Sequence, residues 1–409
     1  MQVTAAHGPA LVLTAVLTLV ASGAGAVYLD LRAQLDTSGA ASLVLATPSP
    51  AATPLEPDDP FAGAAMNILV MGTDLRDEEN AALAGAADGM RSDSTMLVHV
   101  AGDRTWAEVV SIPRDSLVDV PACLLPDGGT SRPRHTMFNE AFSIGAGAEQ
   151  DVDHAAACTI GTVQALTGVT VTHHVVVRMT GVIDVVDALG GVRMCLPEPV
   201  DEDPDYGDLH LAAGDQRLDG TQAIGFLRVR HGTGMGLEMG SDLTRITRQQ
   251  ALVQAAVREL LGKDVLGDVD ELYGVARAVL GALRADPQLA DPVRLAAFGY
   301  SLRGIDRSRI VFTDVPVAAA VSDRNRVEWT SAADEIWARL ASDTPPASLV
   351  PPAGGVDGAS GGVGDGGAGD GAGDGGAGGV PTVPGGGEAG ADVPPDVPAD
   401  EVLAGVCTI

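Results

Sequence analysis

The hydropathy of the chain divides it into five stretches. From Gly8 to Leu29 it carries no charged residue, and Asp30 and Arg32 close the run. A run of this length can cross a bilayer core as a helix, at roughly 20 residues per crossing. Residues 1–32 are therefore read as a transmembrane signal anchor. A cleavable signal peptide cut near Ala24-Gly25-Ala26 is the alternative, and in both cases the rest of the chain lies outside the cytoplasm. Residues 33–65 contain ATPSPAATPLEPDDP and form a Pro/Ala-rich linker that buries little surface. From Met66 the pattern turns globular. Apolar runs at 67–71, 95–100, 107–112 and 174–179 predict strands, and helical periodicity marks 158–167, 182–189 and 243–261. Residues 264–343 add further helical patterns, a strand at 309–312 and a helix at 332–341. Strands interleaved with helices imply an α/β fold, a sheet covered by helices. Beyond Thr344 the chain is Gly, Ala, Asp and Pro with no Lys or Arg. Residues 344–409 are thus expected to form a low-complexity, disordered tail.

Charge narrows the function classes. The 409 residues carry a net charge of −30, which argues against nucleic acid as the main partner. The basic residues are almost all arginine, with Lys263 the sole lysine. Arginine is the better residue for bidentate phosphate contacts, so the positions of the arginines matter more than their number. The four cysteines, Cys123, Cys158, Cys195 and Cys407, include no CxxC pair. Zinc ribbons are disfavoured, and two disulfides suit an exported chain, with three connectivities open. Cys123 and Cys158 flank one insertion and are expected to pair. That leaves Cys195 and an apolar chain end carrying Cys407 as the second pair.

Candidate chemistry gathers where strands end. MGTDLR (Met71 to Arg76), RSDST (Arg91 to Thr95), SIPRDS (Ser111 to Ser116), LRVRHG and SDLTRITRQQ (Leu227 to Gln250) each combine arginine with aspartate or glycine. Open α/β sheets place ligands at such loops. Converging arginines and aspartates suit a pyrophosphate with a divalent cation, because guanidinium groups fork onto phosphate oxygens and carboxylates ligate hard metals. Alternation in Arg228-Val229-Arg230 reads as a strand with both arginines on one side, which is unfavourable without an anion between them. Asp242, Arg245 and Gln249 share one helical face, with Arg248 on the neighbouring stripe. His99 and His231 are read as packed or surface residues, and Asp187 as a structural carboxylate beside glycine turns.

The ordered motifs NILVMGTD, RSDSTMLVHV, VVSIPRDSLVDVP, FNEAFSIG, VQALTGV, DALGGV, LDGTQAIGFLRVRHG and SDLTRITRQQ resemble the LytR–CpsA–Psr family. The resemblance covers residues 66–263 as a catalytic domain, with 264–343 as its helical and strand extension. It implies a three-layer α/β/α sandwich around a mixed sheet, with an apolar tunnel for a polyprenyl chain. The implied activity is a phosphotransferase that moves a polyprenyl-pyrophosphate-linked glycopolymer onto peptidoglycan with Mg2+ or Mn2+. Its membrane contact would be the N-terminal helix. Asp74 and Asp93 match the family's metal-linked aspartates. Arg91, Arg114, Arg228, Arg230, Arg245 and Gln249 match its pyrophosphate-binding set, and Arg76, Asp115 and Arg248 fall in the same motifs. Arg91, Asp93, Arg114 and Asp115 are the catalytic candidates, with Asp93 or Asp115 as the base for the acceptor hydroxyl. The chain departs from the family's usual pattern at Thr172-His173-His174 and Val177-Arg178-Met179. Hydrolysis of the same lipid with water, or a regulatory role, are the rival readings.

Overall fold

The computed structural model describes residues 25–45, 63–73, 90–237, 242–262, 269–323 and 326–350. Seven strands make the central sheet: β1 (Asp36–Thr37), β2 (Met66–Thr73), β3 (Ser92–Val100), β4 (Ala107–Ile112), β5 (His173–Arg178), β6 (Leu283–Ala285) and β7 (Ile310–Asp314). Their order across the sheet is β1-β6-β5-β2-β3-β4-β7. β3 runs antiparallel to both β2 and β4, whereas β2 with β5 and β4 with β7 are parallel, so the sheet is mixed.

Period-two alternation assigns the faces. Leu69 lies opposite Leu97, and Leu97 opposite Val110. These residues and Met71 are fully buried in a core with Phe138, Phe142, Ala155, Ala156 and Trp337. The alternate residues, Ile68, Val98, Val100 and Val175, face a second core with Leu289 and Phe298. Helices α1 (Glu140–Ala146), α2 (Val152–Thr167) and α8 (Ala332–Ala341) supply the first core. Of the remaining helices, α3 (Met179–Ala188), α4 (Gly220–Arg228), α5 (Asp242–Gly262), α6 (Val269–Ala282) and α7 (Pro292–Leu302), α7 covers the opposite face with Phe298. Helices α3 to α6 also share a third apolar cluster with the hairpin Val192–Leu196/Gly214–Leu218. Helices therefore lie on both sides of the sheet, and the two late strands β6 and β7 belong to it.

Caps explain where the helices begin. Asp151 accepts from the His154 N–H at 2.9 Å, which starts α2 at Val152, ahead of the expected 158. A capping box between Asp219 and Gln222 starts α4, which then runs through Arg228. This corrects one expectation: Arg228-Val229-Arg230 is a helix end and its exit, and the two arginines do not alternate along a strand. Where α1 crosses α2, a Cβ on Gly145 would meet the His154 carbonyl at 2.3 Å, so only glycine permits the approach. Nearby, Cys123 and Cys158 form the expected disulfide, with Cα atoms 5.2 Å apart. Cys195 is also disulfide-bonded; Cys407 lies outside the described residues.

Residues 25–34 are helical, and Tyr273 on α6 donates to Asp30 at 2.5 Å. No helix among the described residues is long and apolar enough to cross a membrane. Most of the apolar run at 8–29, and the tail beyond residue 350, lie outside the described residues.

Candidate active site

The site is built where β3 begins and β4 ends. Pairing of β2 with β3 steps from Gly72–Ser94 to Thr73–Ser92, so Asp93 is the extra residue of a bulge. Bulges re-aim side chains in this way. The loop after β4 turns back with the Ser116 N–H on the Pro113 carbonyl. Two further backbone bonds tie it to the start of α1: Phe138 N–H to the Ser116 carbonyl at 2.8 Å and Asn139 N–H to the Arg114 carbonyl at 3.1 Å.

The charged groups form an alternating ladder. Arg230 Nη2 lies 3.3 Å from one oxygen of Asp93, and Arg114 Nη1 lies 3.0 Å from the other. Arg114 continues to Asp115 through Nε at 3.6 Å, and Asp115 meets Arg326 Nη1 at 3.3 Å. The ladder borders a cavity of about 290 Å³ lined by Arg91, Asp93, Arg114, Asp115, Met137, Asn139, Arg230 and Arg326. Four arginines against two aspartates leave this lining net positive on a chain of net charge −30. Close like charges are unfavourable unless an anion lies among them, so the cavity is suited to a multiply charged anion such as a pyrophosphate.

The expected residues divide into three groups. Arg91, Asp93, Arg114, Asp115 and Arg230 converge on the cavity. Arg228 is half-buried in the last turn of α4, and Gln249 is half-buried on α5. Arg248 is only 1% exposed, and its Nη2 donates to the Val229 carbonyl at 2.9 Å. Its place is thus beneath the segment that carries Arg230, outside the cavity lining. Asp74 and Arg76 lie outside the described residues, as do the side chains of Asp242 and Arg245. Asp187 accepts the Gly220 N–H at 2.7 Å, a structural bond joining α3 to α4. His99 is fully buried against Asn67 and Asp343, and burial holds its pKa below the usual histidine value. His231 stacks on Tyr206. The departures at His173 and His174 fall within β5, where His174 bonds Ser38 at 2.8 Å.

Three lining residues, Met137, Asn139 and Arg326, were not anticipated. Asn139 sits inside the FNEAFSIG motif, where it reads as an ordinary helix start. Arg326 lies far along the chain on the hairpin Val317–Ala319/Val327–Trp329 and reaches Asp115 only through the fold. No group of three or more His, Cys, Asp and Glu side chains suited to a metal occurs among the described residues. Of the two aspartates expected to hold Mg2+ or Mn2+, Asp93 lines the cavity and Asp74 lies outside the described residues.

A family model described as the LytR_cpsA_psr family matches residues 48–342. The chain belongs to that family. It is similar to the cell wall biosynthesis protein LcpA of Corynebacterium glutamicum, 29% identical over 64% of this chain and 52% of that one. It is also similar to the polyisoprenyl-teichoic acid–peptidoglycan teichoic acid transferase TagU of Bacillus mycoides, 28% identical over 47% of this chain and 52% of that protein. The chain spans about half the length of these curated relatives. The fold aligns with a LytR-Csp2A-Psr enzyme from Actinomyces oris at a TM-score of 0.52 and 21% identity, covering 75% of this chain and 96% of the other.

Proposed function

We propose that this protein is an extracytoplasmic phosphotransferase that moves a glycopolymer from a polyprenyl pyrophosphate carrier onto peptidoglycan. The observation that carries the reading is the net-positive cavity bordered by the Arg230–Asp93–Arg114–Asp115–Arg326 ladder at the sheet's loop end. The disulfide at Cys123 and Cys158 supports an oxidising compartment. The relative TagU carries a polyisoprenyl-linked polymer and peptidoglycan in its name.

In this reading Arg91, Arg114 and Arg230 hold the phosphate oxygens of the donor, and Arg228, Arg245 and Gln249 are assigned to the same binding set. An acceptor hydroxyl attacks the phosphorus that bears the glycopolymer. The new O–P bond forms as the bond from that phosphorus to the bridging oxygen breaks, and polyprenyl phosphate departs. Charge that builds on the bridging oxygen falls among the arginines. The hydroxyl proton passes to Asp93 or Asp115 and then to solvent. Mg2+ or Mn2+ belongs to the same proposal: Asp93, with Asp74, would hold the ion, which would add positive charge beside the phosphates.

The test supplies purified protein with a labelled polyprenyl-pyrophosphate saccharide, with and without peptidoglycan. Transfer of the label to peptidoglycan with release of polyprenyl phosphate is the expected result. Equal release without peptidoglycan would make the protein a hydrolase, and no release under either condition would overturn the reading.

A further inference from the structure

Helix α5 is bonded to both of the arms that carry the ladder's arginines. Arg248 and Gln250 stand two residues apart on it, about 200° around an axis with 3.6 residues per turn, so they reach in opposite directions. On one side Arg248 donates through Nη2 to the Val229 carbonyl at 2.9 Å. Val229 separates Arg228 from Arg230 at the exit of α4. On the other side Gln250 donates through Nε2 to Ser111 Oγ at 2.9 Å and to Asp314 Oδ1 at 2.7 Å. Ser111 is the last residue but one of β4, and the chain from there leads through Ile112 and Pro113 to Arg114.

These ties are interior ones. Arg248, Gln250 and Ser111 are all buried. An amide nitrogen carries two protons, and Gln250 commits both. Ser111 and Asp314 face each other across the β4–β7 ladder, where the Val315 N–H also bonds the Ser111 carbonyl at 3.2 Å. Gln250 therefore fastens two strand ends at once. Burial pushes the Asp314 carboxyl above its ordinary pKa, and the group is not part of the cavity lining. Arg114 and Arg230 meet on one carboxylate, Asp93, at 3.0 and 3.3 Å. Their spacing depends on where the end of β4 stands relative to the exit of α4, and α5 is bonded to both.

We propose that Gln250 is a positioning residue: by tying α5 to the ends of β4 and β7, while Arg248 holds the exit of α4, it sets the spacing at which Arg114 and Arg230 receive the donor's phosphates. The inference rests on the transferase reading and adds what holds its binding groups in register.

The test titrates the full chain with labelled polyprenyl pyrophosphate well below the unfolding temperature, then measures transfer to peptidoglycan. Gln250→Glu keeps the shape but sets a carboxylate against Asp314, and donor affinity falls about tenfold, as loss of a charged hydrogen bond implies. Asp314→Asn alone keeps native affinity and transfer, because an amide oxygen still accepts from Gln250. Combined with Gln250→Glu, it turns the pair round, so that the amide donates to the carboxylate, and affinity returns. Gln250→Met, of similar length and unable to donate, shows the same loss as Gln250→Glu and replaces it if that variant does not fold. Native donor affinity in a folded Gln250 variant overturns the proposal and leaves the residue a contribution to Tm alone. A double variant that binds no better than Gln250→Glu also overturns it, as does loss of transfer in Asp314→Asn, which would assign that carboxylate to the reaction itself. A native protein that binds no polyprenyl pyrophosphate defeats the transferase reading, whereas equal binding by native protein and variants defeats only the clasp.

Discussion

The two carboxylates of the cavity sit in the same kind of setting and are assembled differently. Asp93 is held by Arg114 and Arg230, and Asp115 by Arg114 and Arg326. Their side chains are covered to a similar degree, 22% and 17% exposed. The Asp93 end is made by the bulge in β3, the loop after β4 and the exit of α4, all tied directly to neighbouring strands and helices. The Asp115 end is completed by a hairpin bonded to residues 115 and 116, whose Val317 and Trp329 pack on the first core. The difference separates two tasks. In the proposed reaction the end built into the sheet would take the donor phosphates, whereas the other end draws its last arginine from residue 326.

Breaking the shared member should have the largest effect. Arg114→Ala removes the guanidinium between both carboxylates, and initial transfer rates should fall by about 10²–10³-fold. A variant with native turnover would dismiss the ladder as the site. The next effect is structural. The loop beyond Asp115 is stapled by Cys123 and Cys158, 35 residues apart. Opening it with Cys123→Ser should cost about 3–4 kcal/mol in the chain-entropy account, read by denaturant unfolding. An unchanged midpoint would count against a stabilising role.

Arg230→Ala and Arg326→Ala sharpen the comparison directly. The first should weaken donor binding about tenfold, as loss of one charged hydrogen bond implies. The second should leave donor affinity nearly unchanged and alter the dependence on acceptor, with a small fall in Tm because a partly exposed ion pair contributes about 1 kcal/mol. Identical kinetic signatures would erase the distinction between the two ends.

The smallest effect lies away from both ends. Burial lowers the pKa of His99 from the ordinary 6.5. As pH falls below about 6.5 the unfolded chain takes up a proton that the folded chain refuses, so stability declines until the lower folded value is reached. Above that window it is flat. His99→Gln should flatten the curve between pH 7 and 5 in thermal unfolding, and an identical slope would exclude His99 as its source.

The central strands were legible because unbroken apolar runs such as Ile68-Leu69-Val70-Met71 have few other uses. Helix starts were less legible. The Asp219–Gln222 capping box was present in the sequence, but Leu227-Arg228-Val229-Arg230 alternates like a strand and outweighed it. The donor side of the cavity could be read because its arginines lie in short motifs beside strand ends. Arg326 could not, since nothing in its neighbourhood names residue 115 as its partner. Asn139 was hidden for another reason: asparagine before a helix has an ordinary explanation, and only the missing cap bond sets it apart.

The order of strands across the sheet has a temporal consequence. β1, at residues 36–37, pairs with β6 at 283–285, and the opposite edge, β7, waits for residues 310–314. Contacts so distant in sequence slow folding. Synthesis proceeds at about 5–20 residues per second, so Asp93 precedes Arg326 by roughly 10–50 s. Throughout that interval the cavity lacks its last arginine, and the sheet lacks its edge pairings until residues 283–285 and 310–314 have been made. The protein therefore completes the lining of its pocket late in synthesis, with only α8 of the described helices still to follow.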